Sequence, residues 1–119
     1  MHELVEDGQT FYWGTTEWPA SMIVTALGVC EKNNWHKPVL VQPRYSATKR
    51  EYLEKDLFYV LQDHKIGAAV MQSLSDESAK AFGKVDWCDP KQLSLAWAIA
   101  NQDVSVALMD ASSTEHITQ

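Results

Sequence analysis

The sequence predicts an α/β fold in which four parallel strands alternate with helices, and three observations carry that prediction. Short apolar runs occur four times, over residues 10–15, 38–42, 66–71 and 104–109. They are continuous rather than alternating in hydrophobicity, the habit of strands in a parallel sheet. The stretches between them are long enough for a helix to cross over and return the chain in the same direction. A chain of 119 residues, 45% hydrophobic and 22% charged, has material for one core and the composition of a globular domain.

Residues 1–8 end in Asp7-Gly8 and read as the last turn of a helix, with Gly8 as its left-handed stop. The first strand holds Phe11-Tyr12-Trp13-Gly14-Thr15 and runs through Thr16-Glu17-Trp18 into Pro19, which opens a helix where a missing N–H costs nothing. Met22, Ile23, Ala26, Leu27 and Cys30 are its apolar stripe, and Asn33-Asn34 ends it. The second strand lies between Pro38 and Pro43, which keeps both prolines out of its hydrogen-bonded middle. Thr48 and Glu51 have capping-box spacing and predict a helix start near Thr48, with Leu53, Leu57, Val60 and Leu61 buried. The small residues Gly67-Ala68-Ala69 of the third strand imply a crowded interior.

From Gln72 to Cys88 the periodicity fades into a connection with one helical turn around residues 78–82. Asp89-Pro90-Lys91-Gln92 is the clearest helix start in the chain: an N-cap, a proline at the first position and a glutamine three residues after the cap. Its apolar face reads as Leu93, Ala96, Trp97 and Ala100. After the fourth strand, Ser112-Ser113-Thr114-Glu115 reads as one more helix N-terminus.

Composition excludes several function classes. A formal net charge of -6 leaves no basic surplus for nucleic acid or anionic lipid. The basic cluster Lys49, Arg50 and Lys55 is interleaved with Glu51, Glu54 and Asp56 and reads as a solvated helix face. Cys30 and Cys88 lie far apart and are read as reduced, and the histidines His2, His36, His64 and His116 have no mutual ligand spacing, so no metal is expected. Cys88 has no neighbouring histidine and Ser112-Ser113 no glycine elbow, so no nucleophile is assigned. No apolar run approaches the roughly 20 residues that span a bilayer and no secretory leader is visible. The expectation is a protein without a transmembrane segment, intracellular, soluble or peripheral to a complex.

Tyr12-Trp13-Gly14-Thr15-Thr16-Glu17-Trp18, then Gln42, Tyr45, Arg50-Glu51, Lys65-Ile66-Gly67, Leu93, Ala96-Trp97 and Ala111-Ser112, taken in that order, resemble the aldo-keto reductases. The resemblance is strongest to the voltage-gated potassium channel β-subunit-like members. That family folds as a (β/α)8 TIM barrel, which needs about 250 residues. The resemblance therefore implies that residues 1–119 are a single half-barrel, the C-terminal half, holding strands five to eight of the family. The family's catalytic Asp, Tyr, Lys and His come from the other half, so no catalytic residue is carried over; Tyr45 is not the family's tyrosine, which sits on a different loop.

The same resemblance implies vestigial cofactor positions at Thr16 and Gln42, facing the nicotinamide amide of NADP(H), and at Ser112 in the phosphate segment. Two departures weaken them. Val70-Met71-Gln72-Ser73-Leu74 offers no aromatic ring to stack on the nicotinamide, and Asp110 and Glu115 bring carboxylates to the place where a phosphate would meet a helix N-terminus. Trp13, Trp18 and Trp97 are read as packing residues. No cofactor is expected for the chain alone, and NADP(H) only if a complementary half is present.

Half a barrel has two unpaired strand edges and one sheet face without the side chains that fill it in a closed ring. The expectation is a protein partner over that face, in a homo-oligomer or a larger complex. The role that follows is a degenerate, non-catalytic structural or interaction subunit. The alternative is a split or truncated NADP-dependent reductase or channel β-subunit-like protein whose catalytic residues lie on another half.

Overall fold

The computed structural model describes residues 1–71, 76–83, 86, 88–110 and 114. Four strands, β1 (Gly14–Thr16), β2 (Leu40–Gln42), β3 (Gly67–Val70) and β4 (Val106–Ala107), pair in the order β1-β2-β3-β4, and every pair is parallel. A short helix, α1 (His2–Glu6), precedes them. The crossovers are α2 (Ala20–Lys32), then a π-helical segment (Tyr52–Leu57) continuing into α3 (Phe58–His64), then α4 (Asp76–Ala81) and α5 (Pro90–Ile99).

Side chains along a strand alternate between the two faces of a sheet, and the register separates them here. Thr15 pairs with Val41, Val41 with Ala68, and Val70 with Ala107. Thr15, Val41, Ala68 and Val70 are all buried. They meet Ile23 and Leu27 of α2, Leu53, Leu57, Val60 and Leu61 of the second crossover and Ala98 of α5, and the apolar members form one core cluster. The residues between them point the other way. Gly14, Thr16, Leu40 and Val106 are exposed, as is Leu108 just beyond β4.

One sheet face is thus covered by helices and the other is bare. The continuous apolar strands called for cover on both sides, and a single copy of the chain provides it on one. The accessible surface is 8023 Å², where a compact monomer of this mass exposes about 6,500 Å². The radius of gyration, 16.6 Å over extents of 55 × 31 × 19 Å, likewise exceeds the about 13.5 Å of a compact chain this long.

Helix ends follow the sequence signals closely. Gly8 has φ +68°, and Gly8 N–H and Gln9 N–H donate to the carbonyls of Val5 and Leu4, closing α1 in a Schellman motif. Asn34 does the same for α2, at φ 56°; its N–H and that of Trp35 donate to Glu31 and Cys30. Asp89 caps α5 with the reciprocal Gln92 contact of a capping box, and Pro90 takes the first position. Gly14 is required by space: a Cβ there would lie 2.6 Å from the Leu40 carbonyl oxygen.

Three expectations are corrected. Phe11 and Tyr12 are outside the first strand and 87% and 72% exposed, because Thr10 Oγ1 donates to the Tyr12 carbonyl in a local turn and the ladder starts only at Trp13, whose carbonyl accepts from Val39 N–H. Thr48 does not cap a helix. Its hydroxyl pairs with Ser46 inside a turn closed by Ser46 and Lys49, and the regular turns begin at Tyr52. On α5 the fully buried residues are Ser94 and Ala98, with Leu93 and Trp97 half-buried beside them and Ala96 and Ala100 exposed. Ala98 enters the core cluster and Trp97 packs against it. The predicted last helix at Ser112-Ser113-Thr114-Glu115 falls mostly outside the described residues.

Candidate functional site

The carboxyl ends of parallel strands are where an open α/β sheet presents ligand-binding groups. Here β1 and β2 bring Thr16 and Gln42 to that end as direct register partners. Thr16 is exposed and Gln42 half-buried, both on the bare face, and Thr16 Oγ1 donates to the Gln42 carbonyl at 3.0 Å. Two residues 26 apart in sequence are therefore neighbours, with the Gln42 side-chain amide unspent in that contact. Ser112, the third predicted cofactor residue, lies outside the described residues, as do Gln72, Ser73, Leu74 and Glu115; Asp110 is described and exposed.

Next to this pair lies a groove that the sequence reading did not assign. Glu17 sits at φ 54°, a strained left-handed setting for a residue with a Cβ. That turn aims its carboxylate across to the chain leaving β2, where Oε1 accepts from Arg44 N–H at 2.8 Å and Oε2 lies 3.7 Å from Arg44 Nε. Glu17, Arg44, Lys49, Arg50, Glu51 and Tyr52 line a cavity of about 290 Å³. The Tyr52 hydroxyl donates across to the Trp18 carbonyl, tying the loop after β1 to the π-helical segment.

The cations of this groove are largely committed. Arg50 makes two hydrogen bonds to Glu54, at 2.9 and 3.0 Å, and Arg44 is engaged by Glu17. Glu51 pairs with Lys55 at 2.7 Å, and the ammonium beside it holds the Glu51 carboxyl below the usual range. An incoming anion would have to displace these partners, and the carboxylates would repel it.

Behind the sheet, Tyr45 is almost wholly buried and stacks on Trp97 with ring centroids 4.9 Å apart. Its hydroxyl donates to Glu54 Oε1 at 2.8 Å and accepts from Asn101 Nδ2 at 2.9 Å. Burial pushes the phenol up to about 12; the Asn101 donor pulls it down and the Glu54 carboxylate adds to the rise. Hydrogen bonding from Arg50 is the main cause that holds Glu54 below the usual carboxylate range. The Arg50 guanidinium also lies 5.5 Å over the Trp97 ring. A phenol held neutral in this way, on the helix-covered side, is a structural strut between the exit of β2 and α5.

A third group lies at the opposite, amino-terminal end of the sheet, where His2, Glu6 and His36 converge. Histidine spacing alone missed it, because His36 joins from 34 residues away. The one legible signal was the i, i+4 pair His2 and Glu6 on α1.

No family model matches the chain. A putative voltage-gated potassium channel β subunit of Schizosaccharomyces pombe (strain 972 / ATCC 24843) is 29% identical over a 157-position alignment that takes in 98% of this chain and 46% of the relative. A probable voltage-gated potassium channel β subunit of Arabidopsis thaliana is 31% identical over 75 residues, covering 63% of this chain and 23% of that protein. Among solved structures, a thermostable aldo-keto reductase crystallised with the inhibitor epalrestat superposes with a TM-score of 0.70 at 23% identity, over 98% of this chain and 43% of the other. The likeness read from the Tyr12 to Trp18 segment onward thus extends over the chain, and the four parallel strands correspond to part of an aldo-keto reductase barrel. The chain spans less than half the length of these relatives. The fission-yeast alignment has 157 positions against 119 residues here, so at least 38 of its positions have no counterpart in this chain.

Proposed function

We propose that residues 1–119 are a single aldo-keto-reductase-like half-barrel acting as a non-catalytic structural or interaction subunit, held in a larger complex by protein that covers its bare sheet face. The observation that carries this reading is the asymmetry of the sheet: Thr15, Val41, Ala68 and Val70 are buried under helices while Leu40, Val106 and Leu108 face water. Apolar area removed from water is worth roughly 25 cal/mol per Å², so a few hundred Å² of that face amounts to several kcal/mol that a partner realises on binding. Thr16 and Gln42, with Ser112, are cofactor positions kept in vestigial form. The groove beside the first two has both its arginines paired with carboxylates, and so offers little to a dinucleotide phosphate. Among the described residues no helix is long and apolar enough to cross a membrane, and we place the complex inside the cell.

A second reading is favoured by the adjacency of Thr16 and Gln42, the two positions that the resemblance assigns to the nicotinamide amide. In it the chain is the cofactor-binding part of a split or longer NADP-dependent reductase or channel β-subunit-like protein, and NADP(H) binds once a complementary half supplies the catalytic groups. Purifying the chain with its native partners, weighing the assembly by native mass spectrometry and titrating it with NADPH separates the two. A partner without reductase-like strands, together with unquenched NADPH fluorescence, supports the structural subunit. A complementary half-barrel with saturable NADPH binding overturns it in favour of the second reading.

A further inference from the structure

At the amino-terminal end of the sheet, the end opposite Thr16 and Gln42, three side chains of ligand type meet. His2 and Glu6 lie one turn apart on α1 and leave the same side of the helix. His36 reaches them from the loop between α2 and β2, which is anchored by Trp13 Nε1 donating to the His36 carbonyl at 2.9 Å. His36 Nε2 is 2.7 Å from Glu6 Oε1, and His36 N–H lies 3.4 Å from His2 Nδ1. The two imidazole rings are 5.1 Å apart, and His2 also stacks on Trp35 at 5.9 Å. One ligating atom from each of the three lies within 4.8 Å of the others. A cavity of about 530 Å³ walled by Trp13, Trp18, Trp35, Val29 and Cys30 adjoins the two histidines.

We propose that His2, Glu6 and His36 bind a divalent transition-metal ion, zinc in the first place. Two imidazole nitrogens and one carboxylate oxygen are the donor set of Zn²⁺, Co²⁺ and Ni²⁺, whereas Ca²⁺ and Mg²⁺ ask for oxygen ligands in larger number. Zinc takes His nitrogen at about 2.0–2.1 Å in tetrahedral sites, which places neighbouring ligand atoms about 3.3 Å apart. His36 Nε2 and Glu6 Oε1 are 2.7 Å apart and no two ligand atoms of the set are more than 4.8 Å apart, so a small adjustment reaches that value. Closing the set takes a rotation of His2, whose 3.4 Å contact to His36 N–H is long for a hydrogen bond and easily given up. The metal takes the place of the direct contact between His36 Nε2 and Glu6 Oε1, and because protons compete with a metal for imidazole and carboxylate ligands, binding weakens in acid. The apolar wall limits water on one side, and a fourth position is left for water or a further ligand. This site is independent of the half-barrel assignment and of any partner.

The test is calorimetric titration of the purified chain with ZnCl₂ at neutral pH, repeated in acid, with His36→Gln, Glu6→Gln and, as a control away from the cluster, His64→Ala. Co²⁺ absorption reports the coordination geometry. The expected result is one saturable site, weaker in acid, with strong visible bands of four-coordinate Co²⁺. His36→Gln and Glu6→Gln each lose at least about 100-fold in affinity, the upper end of what loss of a mere outer-shell partner costs, and His64→Ala loses none. His36 and Glu6 are exposed, and circular dichroism verifies that their variants fold; should His36→Gln not fold, His2→Gln replaces it. No saturable binding, unchanged affinity in the variants, or an equal loss in His64→Ala overturns the proposal and leaves adventitious surface binding only.

Discussion

Replacing Tyr45 with Phe removes one oxygen from the strut between the exit of β2 and α5 and leaves its packing in place. The ring still fills its buried site and still stacks on Trp97 at 4.9 Å. Lost are the donation to Glu54 Oε1 at 2.8 Å and the acceptance from Asn101 Nδ2 at 2.9 Å. A hydrogen bond to a charged group contributes about 1.5–3 kcal/mol and a neutral one about 1 kcal/mol. Glu54 Oε1 keeps its bond from Arg50 Nε, so the lower end applies and the total is about 2.5 kcal/mol. With a urea dependence of about 1–3 kcal/mol per molar for small proteins, the unfolding midpoint falls by about 1 M.

The same variant has a signature in alkali. The folded-state phenol is raised from 10.0 to about 12, so its stabilisation is fully present below the unfolded value and is lost as pH rises through the folded one. The stability gap between the parent chain and Tyr45→Phe should be constant up to about pH 10 and close by about pH 12. Urea titrations across that range read both arms. A variant within about 0.5 kcal/mol of the parent at neutral pH, or a gap that does not close in alkali, would refute the strut.

Other outcomes follow from single positions. Gly14→Ala drives a Cβ to 2.6 Å from a backbone oxygen and 2.7 Å from Leu40 Cγ; an overpacking cost of about 1–3 kcal/mol, with loss of β1 pairing, is expected in thermal melts and amide exchange. Thr15 Oγ1 is the buried side-chain polar atom without a hydrogen-bond partner among the described residues. Thr15→Val, of nearly the same shape, should therefore raise stability by about 1 kcal/mol in urea titration. Hydrogen bonding from Arg50 depresses the Glu54 carboxyl, so its stabilisation is present above the ordinary carboxylate value and is lost as pH falls through the depressed one. Arg50→Gln should flatten that part of the acid unfolding curve.

Much of the fold was legible because its signals are local. The glycine at position 8, the asparagines after α2 and the Asp89 to Gln92 box each satisfy helix ends within a few residues, and all three act as read. Strand order and the bare face followed from the resemblance to a barrel half. What failed depended on competition between partners. Thr48 and Glu51 had the right spacing for a cap, but Ser46 took the threonine hydroxyl and Lys55 the carboxylate. Phe11 and Tyr12 continue an apolar run, yet a threonine turn removes them from the ladder. On α5 the apolar face read from spacing was Leu93, Ala96, Trp97 and Ala100, whereas the residues buried are Ser94 and Ala98. The candidate site divides in the same way. Thr16 and Gln42 were named from sequence and stand side by side, while Glu17 with Arg44, and His36 with Glu6, are joined only by the folded backbone.

The most direct measurement places a thiol-reactive probe on each face of the sheet. Leu40→Cys reports the bare face and Ala68→Cys the helix-covered face, in the dilute single chain and in the native assembly. Rapid labelling at position 40 in the dilute chain, protection of that position in the assembly, and protection at 68 in both are expected of a half-barrel completed by a partner. Protection at position 40 in a dilute monomer, or free labelling there in the assembly, would contradict it.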